Sequence, residues 1–445
     1  MKFFSEIETA EQSDIQKLQL ERLQQSIRHV YENVPFYRQK FEELNISPED
    51  IKSLDDVTKL PFTKKNHLRE NYPFGLFAVP KEDVVRIHGS SGTSGKPTVV
   101  GYTQNDIDNW AELVARAIYA AGGTKGDIVH NAYGYGLFTG GLGIHYGSEK
   151  AGCPTVPISG GNTDRQITLI QDFGAKVICG TPSYILNIAE KMEEMGIDPS
   201  ETSLEYGIFG AEPWSEEMRE TLQRKLGIKA VDIYGLSEVM GPGVAVECHE
   251  AQDGLHIADD HFLIEVINPD TLEPVAEGED GELVFTSLTK EALPIIRYRT
   301  GDIASITREK CACGRTTTKM TRVKGRIDDM LIIRGVNVFP SEIEYYLLQI
   351  DELVPQYQIH LTKKGSLDNV ELHVEMSEEF YQKASSQGNL EEEIVSGLKK
   401  KIQHSMKTNC LVTMDIHIHQ PKSLPRSEGK AARVVDRRKE EKVAN

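Results

Sequence analysis

Hydrophobic residues recur along this chain with two different periods, and the period changes from one segment to the next. Between residues 83 and 296, short β-branched runs alternate with stretches of helical periodicity. Residues 175–179 and 230–234 predict strands, whereas residues 104–121 and 163–173 predict amphipathic helices. Such alternation is typical of an α/β domain with mostly parallel strands.

The regions on either side have other patterns. Residues 1–80 show helical periodicity with short breaks, and residues 254–306 change to short strands with Gly- and Asp-rich turns. Later in the chain, helix and strand patterns follow one another in a segment that reads as a separate small domain. We therefore predict an α/β protein with a large N-terminal α/β domain that includes a β subdomain, at residues 1–327, and a small C-terminal α+β domain at residues 328–445.

Composition limits the possible functions. The 445 residues include 50 Lys and Arg against 68 Asp and Glu, a net charge of −18. We expect such a chain to repel nucleic acids and anionic membranes, so an anionic ligand would need local amides and cations. No apolar run approaches the roughly 18–20 residues of a membrane helix, and the first six residues show no secretory signal. The six cysteines are sparse, which favours a cytoplasmic location.

A stretch dense in glycine and hydroxyl residues lies between two predicted strands. Its backbone amides, hydroxyls and one lysine form a composition suited to gripping phosphate, although an ordinary hairpin turn is the alternative. It is not a Walker A loop, because Ser90 stands where that motif needs Gly and Pro97 where it needs Ser or Thr. The candidate phosphate-binding residues are Ser90, Ser91, Gly92, Thr93, Ser94, Gly95 and Lys96.

Cysteine spacing predicts a metal site. Cys311 and Cys313 offer two thiolates on one turn, and Cys248 offers a third. The fourth ligand is either His256, which we favour, or His249. Three thiolates and one imidazole suit a tetrahedral structural Zn²⁺ ion.

Seven motifs follow one another over nearly the whole chain. They are the stretch Ser90–Thr98, Tyr133-Gly134-Tyr135-Gly136-Leu137-Phe138, Gly210-Ala211-Glu212-Pro213, Tyr234-Gly235-Leu236-Ser237-Glu238, Tyr298-Arg299-Thr300-Gly301-Asp302, Gly325-Arg326-Ile327-Asp328-Asp329 and Arg426-Ser427-Glu428-Gly429-Lys430. In this order they resemble the motifs of the adenylate-forming superfamily, and within it those of the phenylacetate–coenzyme A ligases. The resemblance implies that ATP activates a carboxylate as an acyl-adenylate, which is then passed to the thiol of coenzyme A.

The resemblance also implies a role for residues in each motif. Glu238 would bind Mg²⁺, and Asp302 would accept hydrogen bonds from the ribose hydroxyls. Lys430 would be the catalytic residue that offsets charge near the α-phosphate. Asp328 would be the hinge about which a mobile C-terminal domain turns. The other implied nucleotide-binding residues are Gly210, Ala211, Glu212, Pro213, Asp232, Ile233, Tyr234, Gly235 and Arg326.

The side chain of the acid is expected beside the same motifs. Aromatic walls with a small alanine and glycines leave a flat apolar slot, which suits a phenyl ring better than a long acyl chain. Phenylacetate is therefore our first choice, with hydroxyphenylacetate and indoleacetate as alternatives. The implied substrate-binding residues are Tyr133, Phe138, Ala211, Ile233 and Pro242.

Two other functions stay open at this point. One is an adenylation enzyme that loads an aryl group onto a carrier-protein thiol, and the other is a non-catalytic nucleotide-binding scaffold. The expected cofactors are ATP, Mg²⁺ and coenzyme A, with Zn²⁺ as a structural ion. The expected partner is a small aryl carboxylate, without nucleic acid or membrane, and the resemblance makes a homodimer possible.

Overall fold

The computed structural model describes residues 3–90, 97–327, 329, 331–333, 336–364, 367–386, 391–427 and 433–438. Contacts between Cα atoms divide the chain into two units. The first comprises Met1–Thr181, Ile188–Ala211 and Lys225–Lys324, and the second comprises Pro182–Asn187, Glu212–Arg224 and Gly325–Asn445. Each unit has its own hydrophobic core. No helix in the described ranges is both long enough and apolar enough to cross a membrane.

Helices and strands alternate along the first unit, and a smaller set forms the second. The helices are α1 (Gln12–Asn33), α2 (Pro35–Glu43), α3 (Lys65–Glu70), α4 (Gln104–Ala121), α5 (Thr139–Ala151), α6 (Thr163–Phe173), α7 (Pro182–Glu194), α8 (Glu216–Leu226), α9 (Pro340–Leu347), α10 (Glu378–Ser385) and α11 (Glu391–Asn409). The strands are β1 (Arg86–Ser90), β2 (Thr98–Tyr102), β3 (Val129–Asn131), β4 (Thr155–Val156), β5 (Val177–Gly180), β6 (Tyr206–Gly210), β7 (Lys229–Leu236), β8 (Gly241–Glu247), β9 (Leu255–Ile257), β10 (Phe262–Ile267), β11 (Gly281–Ser287), β12 (Tyr298–Ala304), β13 (Ile306–Thr307), β14 (Lys319–Met320), β15 (Gly325–Arg326), β16 (Leu331–Ile333), β17 (Val336–Val338), β18 (Leu353–Lys364), β19 (Leu367–Met376), β20 (Asp415–His419) and β21 (Val434–Asp436).

Nine strands form the largest sheet, in the order β13-β14-β9-β8-β7-β6-β5-β3-β4. The five strands from β4 to β7 run parallel, and those from β8 onward are antiparallel. The α/β fold class predicted from the sequence is confirmed. Parallel strands place their carboxyl ends at one edge, where α/β sheets bind ligands.

The predicted β subdomain at residues 254–306 is only partly a separate structure. β10, β11 and β12 pair antiparallel in a second sheet. β9, however, pairs with β8 and β14, and therefore extends the nine-stranded sheet. Alternation along a strand shows that it is half-buried but does not show which sheet it joins.

A glycine-rich helix, α5, was not predicted from the sequence. It packs along α4, and a Cβ atom at Gly147 would lie 2.3 Å from the Val114 side chain. At Gly143 a Cβ atom would lie 2.6 Å from Trp110. Glycine disfavours helix by about 1 kcal/mol per residue, so its four glycines hid α5 from pattern analysis. Here the missing side chains let the two helices approach.

The second unit contains a four-stranded sheet with the order β20-β19-β18-β21. One face of this sheet is apolar and packs against α9 and α11. The helix patterns expected late in the chain correspond to α9 and α11, and the strand patterns correspond to β18, β19 and β20. The opposite face is polar and rich in histidine.

Candidate active site

The glycine-rich stretch begins and ends in a β-hairpin. β1 pairs antiparallel with β2, and Ser90 lies opposite Thr98. The predicted strand–turn–strand context of this stretch is therefore confirmed by its described flanks. The turn itself lies outside the described residues, so phosphate binding stays a prediction for Ser91, Gly92, Thr93, Ser94, Gly95 and Lys96.

Two hydrogen bonds hold the first strand of this hairpin. His88 Nδ1 donates to the carbonyl oxygen of Leu137 at 3.0 Å, and the Gly89 amide donates to the same oxygen at 3.0 Å. Burial lowers the pKa of His88, which favours the neutral ring. The hairpin is thereby fixed to the aromatic motif at residues 133–138.

Two neighbouring strands end where the nucleotide was expected. β6 and β7 are parallel, and Gly210 lies opposite Ile233. A Cβ atom at Gly210 would lie 2.2 Å from the Ile233 carbonyl oxygen, so a side chain does not fit there. Ala211 follows with a φ of 70°, a left-handed conformation that costs energy and is typical of functional turns. The two strand ends that carry predicted nucleotide-binding residues therefore lie side by side.

A hydrogen bond joins two predicted nucleotide-binding residues that are far apart in the sequence. The Tyr234 hydroxyl donates to Asp302 Oδ2 at 2.6 Å. The Asp302 amide donates to the Thr300 hydroxyl at 2.9 Å, which fixes the turn that carries the carboxylate. Asp302 is buried, and its charge is stabilised by the tyrosine donor. The two oxygens of a carboxylate held in this way can accept hydrogen bonds from two vicinal hydroxyl groups.

Asp232 has a different set of partners. Its carboxylate lies 3.5 Å from Arg322 Nε, and its amide donates to Glu247 at 3.1 Å. Neither Arg322 nor Glu247 was a candidate from the sequence. Arg322 lies in a short segment between β14 and β15, where the sequence offers no motif to mark it.

Glu238 lies in the turn between β7 and β8 and is buried. The neighbouring Ser237 hydroxyl lies 3.0 Å from the Thr139 hydroxyl, so the turn is tied to α5. A buried carboxylate offers the hard oxygen ligand that a divalent cation such as Mg²⁺ prefers, and Mg²⁺ binding by Glu238 stays a prediction.

A buried lysine near this turn was missed by the sequence analysis. Lys290 Nζ lies 3.1 Å from the centre of the Tyr102 ring, and Tyr102 stacks on Trp110. Burial lowers the pKa of Lys290 to about 7, and the nearby Asp106 carboxylate acts in the opposite direction. The only signal in the sequence is a single lysine between two apolar runs, which more often indicates a solvated turn.

The residues predicted to bind the acid lie at or near the apolar core of the first unit. Tyr133 and Ile233 belong to that core, and Ala211 packs against it. Pro242 pairs with Gly235 across the β7–β8 hairpin, and a Cβ atom at Gly143 would lie 2.7 Å from the Pro242 ring. The backbone of α5 therefore packs closely against Pro242, and substrate binding by these residues stays a prediction.

Phe138 begins α5. It occupies the position before the first helical residue, and a Cβ atom at Gly140 would lie 2.5 Å from its ring. A glycine is therefore needed for Phe138 to fold back over the first turn of the helix. Substrate binding by Phe138 stays a prediction.

Three predicted nucleotide-binding residues belong to the second unit. Glu212 accepts a hydrogen bond from the Ser183 amide at 2.8 Å, which satisfies a free amide in the first turn of α7. Pro213 is exposed. Arg326 lies with its Nε 3.6 Å from the Asp329 carboxylate. Their nucleotide contacts stay predictions.

The cysteine cluster assembles from three separate segments. Cys248 Sγ and Cys311 Sγ are 3.8 Å apart, and Cys313 Sγ lies 3.6 Å from His256 Nε2. All four ligand atoms lie within 4.8 Å of one another. A tetrahedral ion with Zn–S bonds of about 2.3 Å separates two sulfur ligands by about 3.8 Å, so the spacing fits zinc.

The choice of His256 over His249 rests on their positions. His249 Nδ1 donates to the Ala120 carbonyl oxygen at 3.1 Å and is not part of the cluster. A hydrogen bond from the Cys248 thiol lowers the pKa of Cys313 and raises that of Cys248. Arg315, whose guanidinium lies 2.8 Å from Glu8, also donates from its amide to the Cys313 sulfur at 3.4 Å.

Comparisons with known proteins agree with this arrangement. Residues 7–289 match the family model of the AMP-binding enzyme, and residues 335–438 match that of the AMP-binding enzyme C-terminal domain. The chain is 54% identical to the phenylacetate-coenzyme A ligase of Pseudomonas putida, over 97% of this chain and 96% of that protein. It is 52% identical to the phenylacetate-coenzyme A ligase of Thermus thermophilus, over 99% of this chain and 100% of that protein. The chain belongs to the phenylacetate–coenzyme A ligase family.

A solved structure is similar to this chain in fold over its whole length. A 2-hydroxyisobutyryl-CoA ligase in the postadenylation state, in complex with 2-HIB-AMP, matches with a TM-score of 0.91 and 29% identity. The match covers 100% of this chain and 94% of that one. The resemblance inferred from the seven motifs is therefore confirmed at the level of the family.

Two further predicted residues lie outside the described residues. They are Asp328, the expected hinge, and Lys430, the expected catalytic lysine. Their roles stay predictions. The described residues nevertheless bring Gly210, Ile233, Tyr234 and Asp302 into two directly linked pairs.

Proposed function

We propose that this protein uses ATP to convert phenylacetate into its coenzyme A thioester through an enzyme-bound acyl-adenylate. Identity of 52–54% to four phenylacetate-coenzyme A ligases, over nearly the whole chain, carries this proposal. The hydrogen bond between half-buried Tyr234 and buried Asp302, and the buried carboxylate of Glu238, supply chemistry that the reaction needs.

In the first step, a carboxylate oxygen of the acid attacks the α-phosphorus of ATP, and pyrophosphate leaves. Asp302, held by Tyr234, accepts hydrogen bonds from the ribose and fixes the nucleotide. The residues at 90–96 hold the β- and γ-phosphates through amides, hydroxyls and Lys96. Lys430 offsets the negative charge that develops between the carboxylate and the α-phosphate.

In the second step, the thiolate of coenzyme A attacks the carbonyl carbon of the adenylate, and AMP leaves. The thioester keeps one of the two carboxylate oxygens, and AMP takes the other. The C-terminal domain turns about Asp328 between the two steps, so that Lys430 serves the first step only.

Two metal ions complete the proposal. Glu238 would hold Mg²⁺, which neutralises phosphate charge while the nucleotide is bound. Cys248, His256, Cys311 and Cys313 would hold Zn²⁺ as a structural ion, because a site closed by four protein ligands leaves no position for a substrate. Because its ligands come from three segments, the ion would link the residue after β8 and strand β9 to the turn at residues 311–315.

The acid is proposed to lie in the slot that Tyr133, Phe138, Ala211, Ile233 and Pro242 provide. Hydroxyphenylacetate and indoleacetate are the alternative acids, since a hydroxyl group or second ring changes the volume by only a few atoms. A carrier-protein thiol is the alternative acceptor. We further propose a cytoplasmic enzyme, possible as a homodimer, that acts without nucleic acid or membrane.

The proposed function is tested by following pyrophosphate release with a panel of aryl and short-chain acids, each with and without coenzyme A. Phenylacetate is expected to give the highest kcat/KM, with AMP and phenylacetyl-coenzyme A as products. Turnover that ignores free coenzyme A but proceeds with a carrier protein would support the alternative acceptor. Equal rates for acetate and phenylacetate would contradict the aryl slot.

A further inference from the structure

The polar face of the C-terminal sheet concentrates four histidines and a glutamate. Alternation along the strands puts apolar residues on the face covered by α9 and α11, and polar residues on the other face. In register, His360 on β18 lies opposite Glu371 on β19, and His373 on β19 lies beside His417 on β20. We call His360, Glu371, His373, His417 and His419 the histidine cluster.

Three of these side chains point their ligand atoms at a common position. The ligand atoms of His360, Glu371 and His373 all lie within 4.8 Å of one another. His373 Nε2 is 3.7 Å from Glu371 Oε2, and the centroids of the His360 and His373 rings are 4.2 Å apart. Ligands bound to one tetrahedral ion at about 2.0–2.2 Å are separated by roughly 3.4 Å. Small side-chain rotations are enough to reach that spacing.

The two ring nitrogens of His373 have different surroundings. His373 Nδ1 lies 2.9 Å from His419 Nε2, whereas His373 Nε2 is buried and has no hydrogen-bond partner among the described residues. A proton on Nδ1 therefore leaves the Nε2 lone pair directed toward Glu371. This is the arrangement in which an outer partner orients a metal-binding imidazole.

The glutamate is oriented in the same way. Asn369 Nδ2 donates to Glu371 Oε1 at 3.1 Å, which leaves Oε2 facing the histidines. His417 Nε2 lies 4.0 Å from the same Oε2, at the exposed rim. The positive charge of Arg437 acts on His360 and disfavours a bound cation there. The negative charge of the Glu371 carboxylate acts in the opposite direction.

We propose that His360, Glu371 and His373 bind one divalent transition-metal ion of the Zn²⁺ or Ni²⁺ class, with His417 able to join at the rim. Two imidazoles and one carboxylate suit these borderline ions and are a poor set for Mg²⁺ or Ca²⁺. The site contains no thiol and belongs to the second unit, so it is separate from the cysteine cluster of the first. Because its ligands come from β18 and β19, the ion cross-links neighbouring strands of this sheet.

The test is calorimetric titration of Zn²⁺ into the full-length protein and into His360→Gln/His373→Gln. All cysteines are kept, so any difference between the proteins reports on the histidine cluster. Wild type is expected to bind one more ion per chain than the double variant. Its unfolding midpoint should rise with Zn²⁺ by at least about 4 °C, and the double variant should lose this rise.

The matched control is His404→Gln, an exposed histidine on α11 of the same unit. It should bind Zn²⁺ as wild type does. Glu371→Gln keeps every histidine and should weaken binding at least about tenfold, which keeps the test decisive if the double variant does not fold. Equal stoichiometry in wild type and double variant, or unchanged affinity in Glu371→Gln, would overturn the site.

Discussion

At the scale of single residues, the hydrogen bond between Tyr234 and Asp302 is the contact on which the proposed ribose site depends. The two residues are separated by 68 positions, and their hydrogen bond is 2.6 Å long. The sequence predicted a role for each residue because each belongs to one of the seven motifs. It could not predict the bond between them, since that depends on how β7 and β12 are placed in space.

Replacing Tyr234 by phenylalanine removes this hydroxyl and keeps the ring. One hydrogen bond to a charged group contributes about 1.5 kcal/mol, so the KM for ATP should rise about tenfold with kcat nearly unchanged. Steady-state kinetics at saturating phenylacetate measures this change. Tyr206→Phe, a tyrosine of neighbouring β6, is the control and should leave the KM for ATP as in wild type. An unchanged KM in Tyr234→Phe would contradict the ribose assignment.

Lys290 gives a residue-scale prediction about stability and pH. Its pKa is lowered by burial from 10.5 to about 7 in the folded protein. Between these two values the unfolded chain binds a proton that the folded protein lacks. The free energy of unfolding therefore rises as the pH rises through this range. Below the folded pKa, Lys290 is protonated in both states and adds no pH dependence.

Lys290→Met should remove this dependence. From about pH 7.5 to about pH 9.5, the free energy of unfolding of wild type relative to Lys290→Met should rise by up to about 1.4 kcal/mol per pH unit. Urea denaturation at several pH values provides the measurement. Lys407→Met, an exposed lysine on α11, should run parallel to wild type. Parallel curves for wild type and Lys290→Met would show that Lys290 is charged in the folded protein throughout.

At the scale of secondary-structure elements, the sequence predicted regular helices well and α5 not at all. α4 and α6 have the predicted bounds because their apolar residues recur at helical spacing and each ends at a glycine. The glycines of α5 oppose helix locally, and their benefit appears only when α4 lies alongside. Tertiary packing is the signal that a single sequence does not contain.

The ligands of the cysteine cluster lie on three different elements: just after β8, on β9 and in a turn. The sequence predicted the three cysteines, and the position of the histidine ring selected His256. A Zn²⁺ ion bound there would stabilise the folded state, because it would bind the folded protein in preference to the unfolded chain.

Cys313→Ser should lose one zinc ion per chain, and its unfolding midpoint should fall by at least about 5 °C. Plasma mass spectrometry of the purified protein gives the metal content. Cys153→Ser, a buried cysteine outside the cluster, is the control and should keep the zinc content of wild type. Retention of all zinc by Cys313→Ser would exclude this residue as a ligand.

At the scale of the whole molecule, two domains and two chemical steps have to share one catalytic cycle. The family models match residues 7–289 and 335–438 separately, in line with the predicted division of the chain. The predicted boundary between residues 327 and 328 stays a prediction, as do the hinge at Asp328 and the catalytic role of Lys430. The motifs were sufficient to predict family membership, because their residues and their order can be read from the sequence without knowing the contacts between them.

Lys430→Ala tests the division of labour between the two steps. Pyrophosphate release should fall at least about 100-fold, because the charge that offsets the transition state is removed. Thioester formation from supplied phenylacetyl-adenylate should stay near the wild-type rate. Lys407→Ala is the control, and wild-type pyrophosphate release by Lys430→Ala would refute the assignment.

In the proposed reaction, the acid is activated when its carboxylate attacks the α-phosphorus of ATP. The most direct measurement uses phenylacetate labelled with ¹⁸O in both carboxylate positions, with ATP, Mg²⁺ and coenzyme A, and mass spectrometry of the products. Attack at the α-phosphorus should give one labelled oxygen in AMP, one in the thioester and none in pyrophosphate. Label in inorganic phosphate, with ADP as the nucleotide product, would contradict it.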